Sequence, residues 1–434
     1  MAIKILKPCR IVGVLESGIQ SLTPEALAYI KSADLIIGST RTLALYTDII
    51  TGIENRDFTF LLTQVPDWIH DAQRQHKQVV VLATGDPLCY GVANFLREKL
   101  SPGEFVVHPN ISSIQLAFAR FTVSWQDAKI ISIHHQDAEE WHFGADRRHG
   151  LYNLLQAICQ HDKLAVLTSP DNTPDRIARM LLLEKLGDQF HMLIAENLAN
   201  ANERLMEDLS IAQIATEKFN GNNVVILLRK TTARAPQLFG LAGHHYLHCQ
   251  SEKDLINYSE VRAVLLAKMQ LTRYSIVWDI GTGSGSIGIE AARLCGKGHI
   301  YAMDKNAADV TLARQNAECL AVHNYTVQQS INPEKLTTWE RPDAVFIDAA
   351  DGDFVALIEI CLQRLRTTGW LVMNFTRKKN LSAAIETLKS CQATWDVTQM
   401  QVSRNRPIYD TQQFTAENPV WIVAAQRKTE HAMP

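Results

Sequence analysis

Three alternate glycines, Gly281, Gly283 and Gly285, follow the acidic Asp279 in the run Trp278-Asp279-Ile280-Gly281-Thr282-Gly283-Ser284-Gly285-Ser286-Ile287-Gly288. Such residues bind rather than break bonds. Glycines let a backbone come close to a ligand, and a helix that starts just beyond them offers free N–H groups. The elements that must position them stand on either side. Ser275-Ile276-Val277-Trp278 reads as a buried parallel strand, and Ile289-Glu290-Ala291-Ala292-Arg293-Leu294 has helical spacing. A second strand, His299-Ile300-Tyr301-Ala302-Met303, ends in Asp304. That acid stands about 20 residues beyond the turn, where it can grip ribose hydroxyls. The spacing is not G-x-G-x-x-G, which rests a dinucleotide pyrophosphate on the helix start. A glycine-rich turn in another kind of α/β domain would share the composition; the strand–turn–helix context argues for a ligand loop.

The run from Asp279 to Gly285 resembles motif I of the Rossmann-like methyltransferases that use S-adenosylmethionine (SAM). The resemblance implies that the loop curls under the methionine part of SAM and that Asp304 binds its ribose. It makes Asp279, Gly281, Gly283, Gly285 and Asp304 candidate cofactor-binding residues.

At 434 residues the chain calls for two or three domains. It is 46% hydrophobic and 21% charged, a composition typical of soluble globular proteins. No apolar run reaches the roughly 18 residues of a membrane span, and the start has no signal-peptide core, so neither a membrane nor export is expected. A net charge of −3 argues against a nucleic-acid partner held through phosphates. The eight cysteines are scattered without a C-x-x-C pair, which suits free thiols in a reducing cytoplasm.

The first half alternates strands and helices. Cys9 to Val14, Leu35 to Gly38, Gln78 to Ala83, Phe105 to Val107, Ile130 to Ile133, Leu164 to Leu167, His191 to Ala195 and Val224 to Leu228 read as strands. Helices begin at Thr23-Pro24-Glu25 and Thr173-Pro174-Asp175, where Thr caps and Pro takes the first position. The alternation implies largely parallel sheets. Thr231 to Gln237 has no periodicity and reads as linker, which puts domains at 1–230 and 240–434 with a linker at 231–239. In the second half, a helix from Glu260 to Met269 precedes the glycine loop. The strand Ala344 to Asp348, the helix Phe354 to Leu365 and strands at Trp370 to Met373 and Val420 to Val423 follow it.

Several blocks of the first half stand in a recognisable order: Thr84-Gly85-Asp86-Pro87-x-x-Tyr90-Gly91, then Asn110-x-Ser112-Ser113-x-Gln115, then Ser169-Pro170-Asp171-Asn172-Thr173-Pro174, with Glu196-Asn197-Leu198 and Glu203-Arg204. Taken singly, the Gly85-Asp86-Pro87 corner is also what a plain turn would use. Together the blocks resemble the tetrapyrrole methylases, which bind SAM in a cleft between two α/β lobes. Trp125-Gln126-Asp127-Ala128 is similar to the branch that methylates a precorrin at carbon five in cobalamin synthesis, often fused to a Rossmann-like domain that methylates carbon fifteen and removes a side-chain carboxyl. The fold class that follows is α/β, a two-lobed tetrapyrrole methylase domain ahead of a Rossmann-like methyltransferase domain. The resemblance implies one SAM per domain and a corrin-type substrate. Gly85, Asp86, Pro87, Ser112 and Ser113 become cofactor candidates, and Tyr90, His134, Asn257 and Asp348 substrate candidates. It also implies a cytoplasmic enzyme and a homo-oligomer.

The chain departs from the family at Leu15-Glu16-Ser17-Gly18, at Asn257-Tyr258-Ser259 and at Asp348-Ala349-Ala350-Asp351-Gly352. Phe346-Ile347-Asp348-Ala349 also resembles metal-dependent O-methyltransferases, in which Asp348 with Asn374 would hold a divalent cation; two ligands are too few, and a substrate-side loop is the preferred reading. The groups His134-His135, His142, His149 and His244-His245-x-x-His248-Cys249 lack metal spacing, so no metal is expected. Arg147-Arg148 reads as a solvated pair. No catalytic residue is assigned, because methyl transfer from a sulfonium to an electron-rich ring carbon needs alignment and exclusion of water more than a proton relay. A methyltransferase on another tetrapyrrole or an aromatic alcohol, and a silent SAM- or tetrapyrrole-binding relative, share these motifs.

Overall fold

The computed structural model describes residues 7–134, 137–221, 223–231, 237–247, 259–330, 333–348, 354–408 and 411–428. Contacts divide the chain into two compact units, Met1–Trp141 with His161–Thr232, and His142–Gln160 with Ala233–Pro434.

The first unit holds two five-stranded sheets. The first is built from β1 (Cys9–Val14), β2 (Leu35–Gly38), β3 (Glu54–Asp57), β4 (Val79–Thr84) and β5 (Phe105–His108), ordered β3-β2-β4-β1-β5 and parallel throughout. Runs such as Val79-Val80-Val81-Leu82 are apolar on both faces because helices cover both sides. The second sheet is built from β6 (Lys129–Ser132), β7 (Lys163–Leu167), β8 (Phe190–Glu196), β9 (Arg204–Met206) and β10 (Asn223–Arg229), ordered β6-β7-β10-β8-β9. Here only β6 and β7 run parallel; β7–β10, β10–β8 and β8–β9 are antiparallel. This corrects the expectation of largely parallel sheets. Strand–helix alternation fixes the sequence of elements but not the direction in which the last strand returns, and β10 enters between β7 and β8 against both.

The second unit is a seven-stranded sheet of β11 (Ile276–Ile280), β12 (His299–Asp304), β13 (Tyr325–Gln329), β14 (Ala344–Asp348), β15 (Trp370–Phe375), β16 (Thr394–Met400) and β19 (Val420–Gln426), with a separate hairpin of β17 (Ser403–Ile408) and β18 (Thr411–Ala416). The order β13-β12-β11-β14-β15-β19-β16 is parallel from β13 to β15 and antiparallel at the last two pairings. The strand order reverses between β12 and β14 around β11, and such a switch point opens a crevice at the carboxyl ends of the strands.

The contact grouping also departs from an uninterrupted 1–230 domain. Residues 142–160 pack with the second unit, where the Tyr152 hydroxyl lies 2.8 Å from His299 Nδ1 and donates to the Gly298 carbonyl at 3.2 Å. The other imidazole nitrogen lies 2.9 Å from Thr326 Oγ1, which itself donates to the Gly144 carbonyl. Burial pushes the His299 pKa down to about 3, so its ring is neutral. The lead-in to the second sheet is tied by a buried ion pair. Glu290 accepts from Arg262 Nε at 3.0 Å, from the Gly240 and Leu241 amides and from the Tyr246 hydroxyl. No helix among the described residues is long and apolar enough to cross a membrane.

Candidate active site

Two strand-end corners gather the residues singled out by the sequence. In the first unit, β4 runs into Gly85, which takes φ +65° and donates its amide to the Val14 carbonyl at 2.8 Å. A side chain on Gly85 would stand 3.3 Å from the Ile111 carbonyl and the Ser112 Cα, so these segments touch backbone to backbone. Ser112 caps the helix Ser113–Arg120 through a reciprocal box with Gln115; its hydroxyl accepts the Gln115 amide at 3.1 Å. That cap explains Ser112 without a ligand. Asp86 accepts the Leu88 amide at 2.9 Å and Pro87 is buried behind it. Tyr90, at φ +55° and exposed, donates its hydroxyl to the Ile130 carbonyl at 3.2 Å. Asp86, Leu88, Cys89, Tyr90, Asn94 and Ile130 line an open cavity of about 380 Å³. His134 lies beyond β6, with Nδ1 2.8 Å from the Thr168 carbonyl.

Sequence reasoning missed Gly13 as part of this corner, and read Asn110 only as a member of a family block. A side chain on Gly13 would stand 2.1 Å from the Gly85 carbonyl, a clash that only glycine avoids. The Asn110 amide donates to the carbonyls of Gly13 and Ser21 at 3.2 and 3.0 Å, tying the segment after β5 to β1 and to the turn that follows β1. The Gly13-Val14 pair ahead of the loop was the available signal. In that loop Glu16 pairs with Arg41 at 2.9 Å, and Arg41 also donates to Thr84 Oγ1 at 3.0 Å. A charged pair therefore joins the loop after β1 to the helix after β2.

The second unit carries the other corner. Gly281, Gly283 and Gly285 all take positive φ, and Gly285 precedes the helix Ser286–Leu294. A side chain on Gly283 would meet no atom within 4 Å, which leaves space above the loop. Asp304, at the end of β12, accepts the Gly283 amide through Oδ2 and the Asn306 amide through Oδ1, each at 3.0 Å. Each oxygen keeps a lone pair for a further donor. Asp279 is 1% exposed, and its Oδ2 accepts the Thr282 hydroxyl at 2.5 Å while Oδ1 has no partner. Burial raises its pKa to about 7, with the nearby Asp304 charge adding to the effect. Thr282 is bonded in turn to the buried Tyr325 hydroxyl at 2.7 Å. Asp348 ends β14 beside Gly281, whose side chain would lie 3.2 Å from the Asp348 carbonyl. Asn257 lies outside the described residues, as do His135, His248, Cys249 and Ala349 to Gly352. Among the described residues no group of three His, Cys, Asp or Glu side chains is placed to hold a metal.

This second corner fits a cationic adenosyl cofactor. It has open space over Gly283, an acid at the end of β12 with lone pairs to spare and a buried carboxyl oxygen short of a donor. The first corner offers a cavity and a strained turn, but its glycines face backbone.

Comparison with known proteins separates the same two regions. The model of the tetrapyrrole (corrin/porphyrin) methylases matches residues 9–215, and that of the precorrin methyltransferase domain matches residues 250–427. The first region is similar to a Salmonella typhimurium cobalt-precorrin-7 C(5)-methyltransferase, 30% identical over 217 residues, which are 50% of this chain and 97% of the relative. The second is similar to the cobalt-precorrin-6B C(15)-methyltransferase (decarboxylating) of the same organism, 33% identical over 186 residues, 43% of this chain and 96% of the relative. The chain belongs to the precorrin C5,15-methyltransferase family. A precorrin-6Y C(5,15)-methyltransferase (decarboxylating) from Sinorhizobium is 27% identical over 380 residues, 84% of this chain and 83% of its own, so both halves stand in one polypeptide there too. Membership of the precorrin C5,15-methyltransferases makes SAM the methyl donor and a corrin precursor the acceptor.

Proposed function

We propose that the chain methylates a precorrin at carbons five and fifteen and decarboxylates an acetate side chain in cobalamin synthesis, with SAM as donor. Residues 1–230, which hold the first unit, serve carbon five; residues 240–434 serve carbon fifteen and the decarboxylation. Each draws on its own SAM. The observation that carries this reading is the one-to-one match of each region with a single-function relative over almost that relative's whole length. SAM supplies an electrophilic methyl group. What the chain supplies is placement. Asp304 is positioned to accept from ribose hydroxyls, and the Gly283 cradle gives the cofactor room. The unpartnered Asp279 oxygen and the charge on Asp304 favour a cation above the loop. In the first unit, the strained Gly85-Asp86-Pro87 turn would hold the cofactor, and Tyr90 and His134, at the edge of the second sheet, would meet the substrate.

Decarboxylation needs an electron sink, and the substrate's conjugated ring provides one. Tetrapyrrole carboxylates call for dispersed cationic and polar contacts, which is why they leave no compact motif. The same reading includes a cytoplasmic homo-oligomer; sedimentation of the purified chain at the mass of one copy would remove the oligomer from it.

Incubation of the chain with methyl-labelled SAM and a precorrin-6B type substrate, offered with and without cobalt, should yield a product carrying two labelled methyl groups and lacking one carbon dioxide. A binder with no turnover would leave the substrate mass unchanged. Calorimetry should count two SAM per chain; a count near one would assign the missing site to the first unit, where Glu16 and Arg41 stand at the strand ends.

A further inference from the structure

We propose that Asn374 is a substrate-positioning residue of the second unit, accepting a hydrogen bond from an N–H or O–H group of the tetrapyrrole at the carboxyl end of β15. The inference rests on the carbon-fifteen reading of this unit.

The strands place it. Side chains alternate between the faces of a sheet. Val277, Ala302, Phe346 and Val372 all belong to the core on one face. Two residues further along each strand stand Asp279, Asp304, Asp348 and Asn374. Four polar groups therefore end four neighbouring strands on one face of the sheet. Asp348 and Asn374 are register partners, and Asp348 abuts Gly281 of the glycine loop. Asn374 thus belongs to the same crevice as the cofactor candidates, on the side away from Asp304.

Asn374 is 5% exposed, and its Oδ1 is buried with no hydrogen-bond partner. Its antiparallel neighbour is the apolar Ile422, so the sheet itself gives no reason for an amide here. A buried acceptor without a donor is a net cost to the folded protein. Asp279 Oδ1 is in the same condition on β11, where the proposed function puts the cofactor. The donor assigned to Asn374 is an N–H or O–H of the substrate, because its strand lies on the side of β11 away from Asp304. Ring nitrogens carry the first, and an un-ionised side-chain carboxyl carries the second. A bond of this kind would fix the ring's rotation over the cofactor, which decides the carbon facing the methyl group.

The test uses the full chain and the variants Asn374→Leu, of similar volume, and Asn374→Ser, which keeps an acceptor. Asn374→Leu should melt no lower than wild type, because it removes an unpaired buried oxygen. It should bind SAM as wild type does and methylate carbon five normally. Its kcat/KM for the carbon-fifteen product should fall about tenfold to a hundredfold, with Asn374→Ser falling less. If the substrate's donor is a carboxyl O–H, wild-type substrate binding will weaken as pH rises through the carboxyl range and the leucine variant will lose that dependence; with a ring N–H both stay flat. A lower melting point in both variants would make Asn374 structural. A tenfold loss of SAM affinity would give it to the cofactor, and unchanged carbon-fifteen kinetics would remove it from the site; each result overturns the proposal. The wild-type arm stands apart: no carbon-fifteen product from wild type sinks the parent reading, whereas equal product from wild type and Asn374→Leu sinks the role of this residue alone.

Discussion

The two corners use glycine for opposite reasons. In the first unit glycine lets backbone meet backbone: Gly13 is pressed against Gly85, and Gly85 against Ile111 and Ser112. In the second, a side chain on Gly283 would meet nothing within 4 Å, and its positive φ, free to glycine, lets the loop run beside space that a ligand can take. The polar groups differ in the same sense. Asn110 and Ser112 are satisfied by the protein, whereas Asp279 and Asn374 each keep a buried oxygen without a partner. Groups satisfied by the protein itself, as Asn110 and Ser112 are, serve stability. A corner that leaves buried acceptors open carries a cost that its ligand relieves.

The sharpest way to break this contrast is a pair of substitutions. Gly13→Ala sets a carbon 2.1 Å from a carbonyl oxygen and should destabilise the first unit by at least about 3 kcal/mol, seen as a lowered melting point. Gly283→Leu should cost only roughly 1–2 kcal/mol, for its positive φ, yet abolish SAM binding by the second unit. Equal melting losses, or unchanged calorimetric binding in Gly283→Leu, would erase the distinction.

A smaller effect is expected at Asp304. Asp304→Ala should weaken SAM binding by about tenfold to a hundredfold, from roughly 1.5–3 kcal/mol of charge-assisted hydrogen bonding. It also frees the Gly283 and Asn306 amides. Turnover at saturating SAM should hold, since a bond made equally before and during reaction changes KM alone. Collapse of turnover with affinity intact would move Asp304 into the chemistry.

The gentlest test is a pH series. Asp279 is raised from 3.8 to about 7, so the folded protein holds a proton that the unfolded chain has released, and this group makes stability fall as pH climbs from about 4 to 7. His299 is lowered from 6.5 to about 3, so the unfolded chain takes up a proton first, and this group makes stability rise with pH between about 3 and 6.5. The two slopes, each at most about 1.4 kcal/mol per pH unit, oppose one another over nearly the same window. Asp279→Asn should therefore uncover a rising limb in urea titrations, and His299→Asn a falling one. If neither variant changes the profile, the buried groups do not titrate as described.

What the sequence made legible follows from how local each signal is. The glycine loop, its strands and Asp304 lie within one strand–turn–helix–strand unit, and the structure sets them as that pattern suggests. Asn110 was legible only as part of a family block, and Gly13 only as a strand residue, because their contact joins positions 97 residues apart. The antiparallel second sheet was hidden because apolar runs such as Val224 to Leu228 look alike in either direction. The edge strands Glu54–Asp57 and Thr394–Met400 were missed because they are polar and largely exposed, without an apolar run to mark them. Asn374 was noticed only as a possible metal ligand; its lack of a partner is a property of three dimensions.

The packing of residues 142–160 against His299 has a consequence for synthesis. Tyr152 leaves the ribosome 147 residues before the histidine it touches. At ordinary elongation rates that is a wait of roughly 7 to 30 s. During that interval the helix Tyr152–Gln160, with Leu154, Leu155 and Ile158 destined for burial, has no finished surface of its own unit to lie on. The nascent chain must shelter this apolar stretch until the second sheet exists, so the time of greatest aggregation risk falls midway through translation, not at its end.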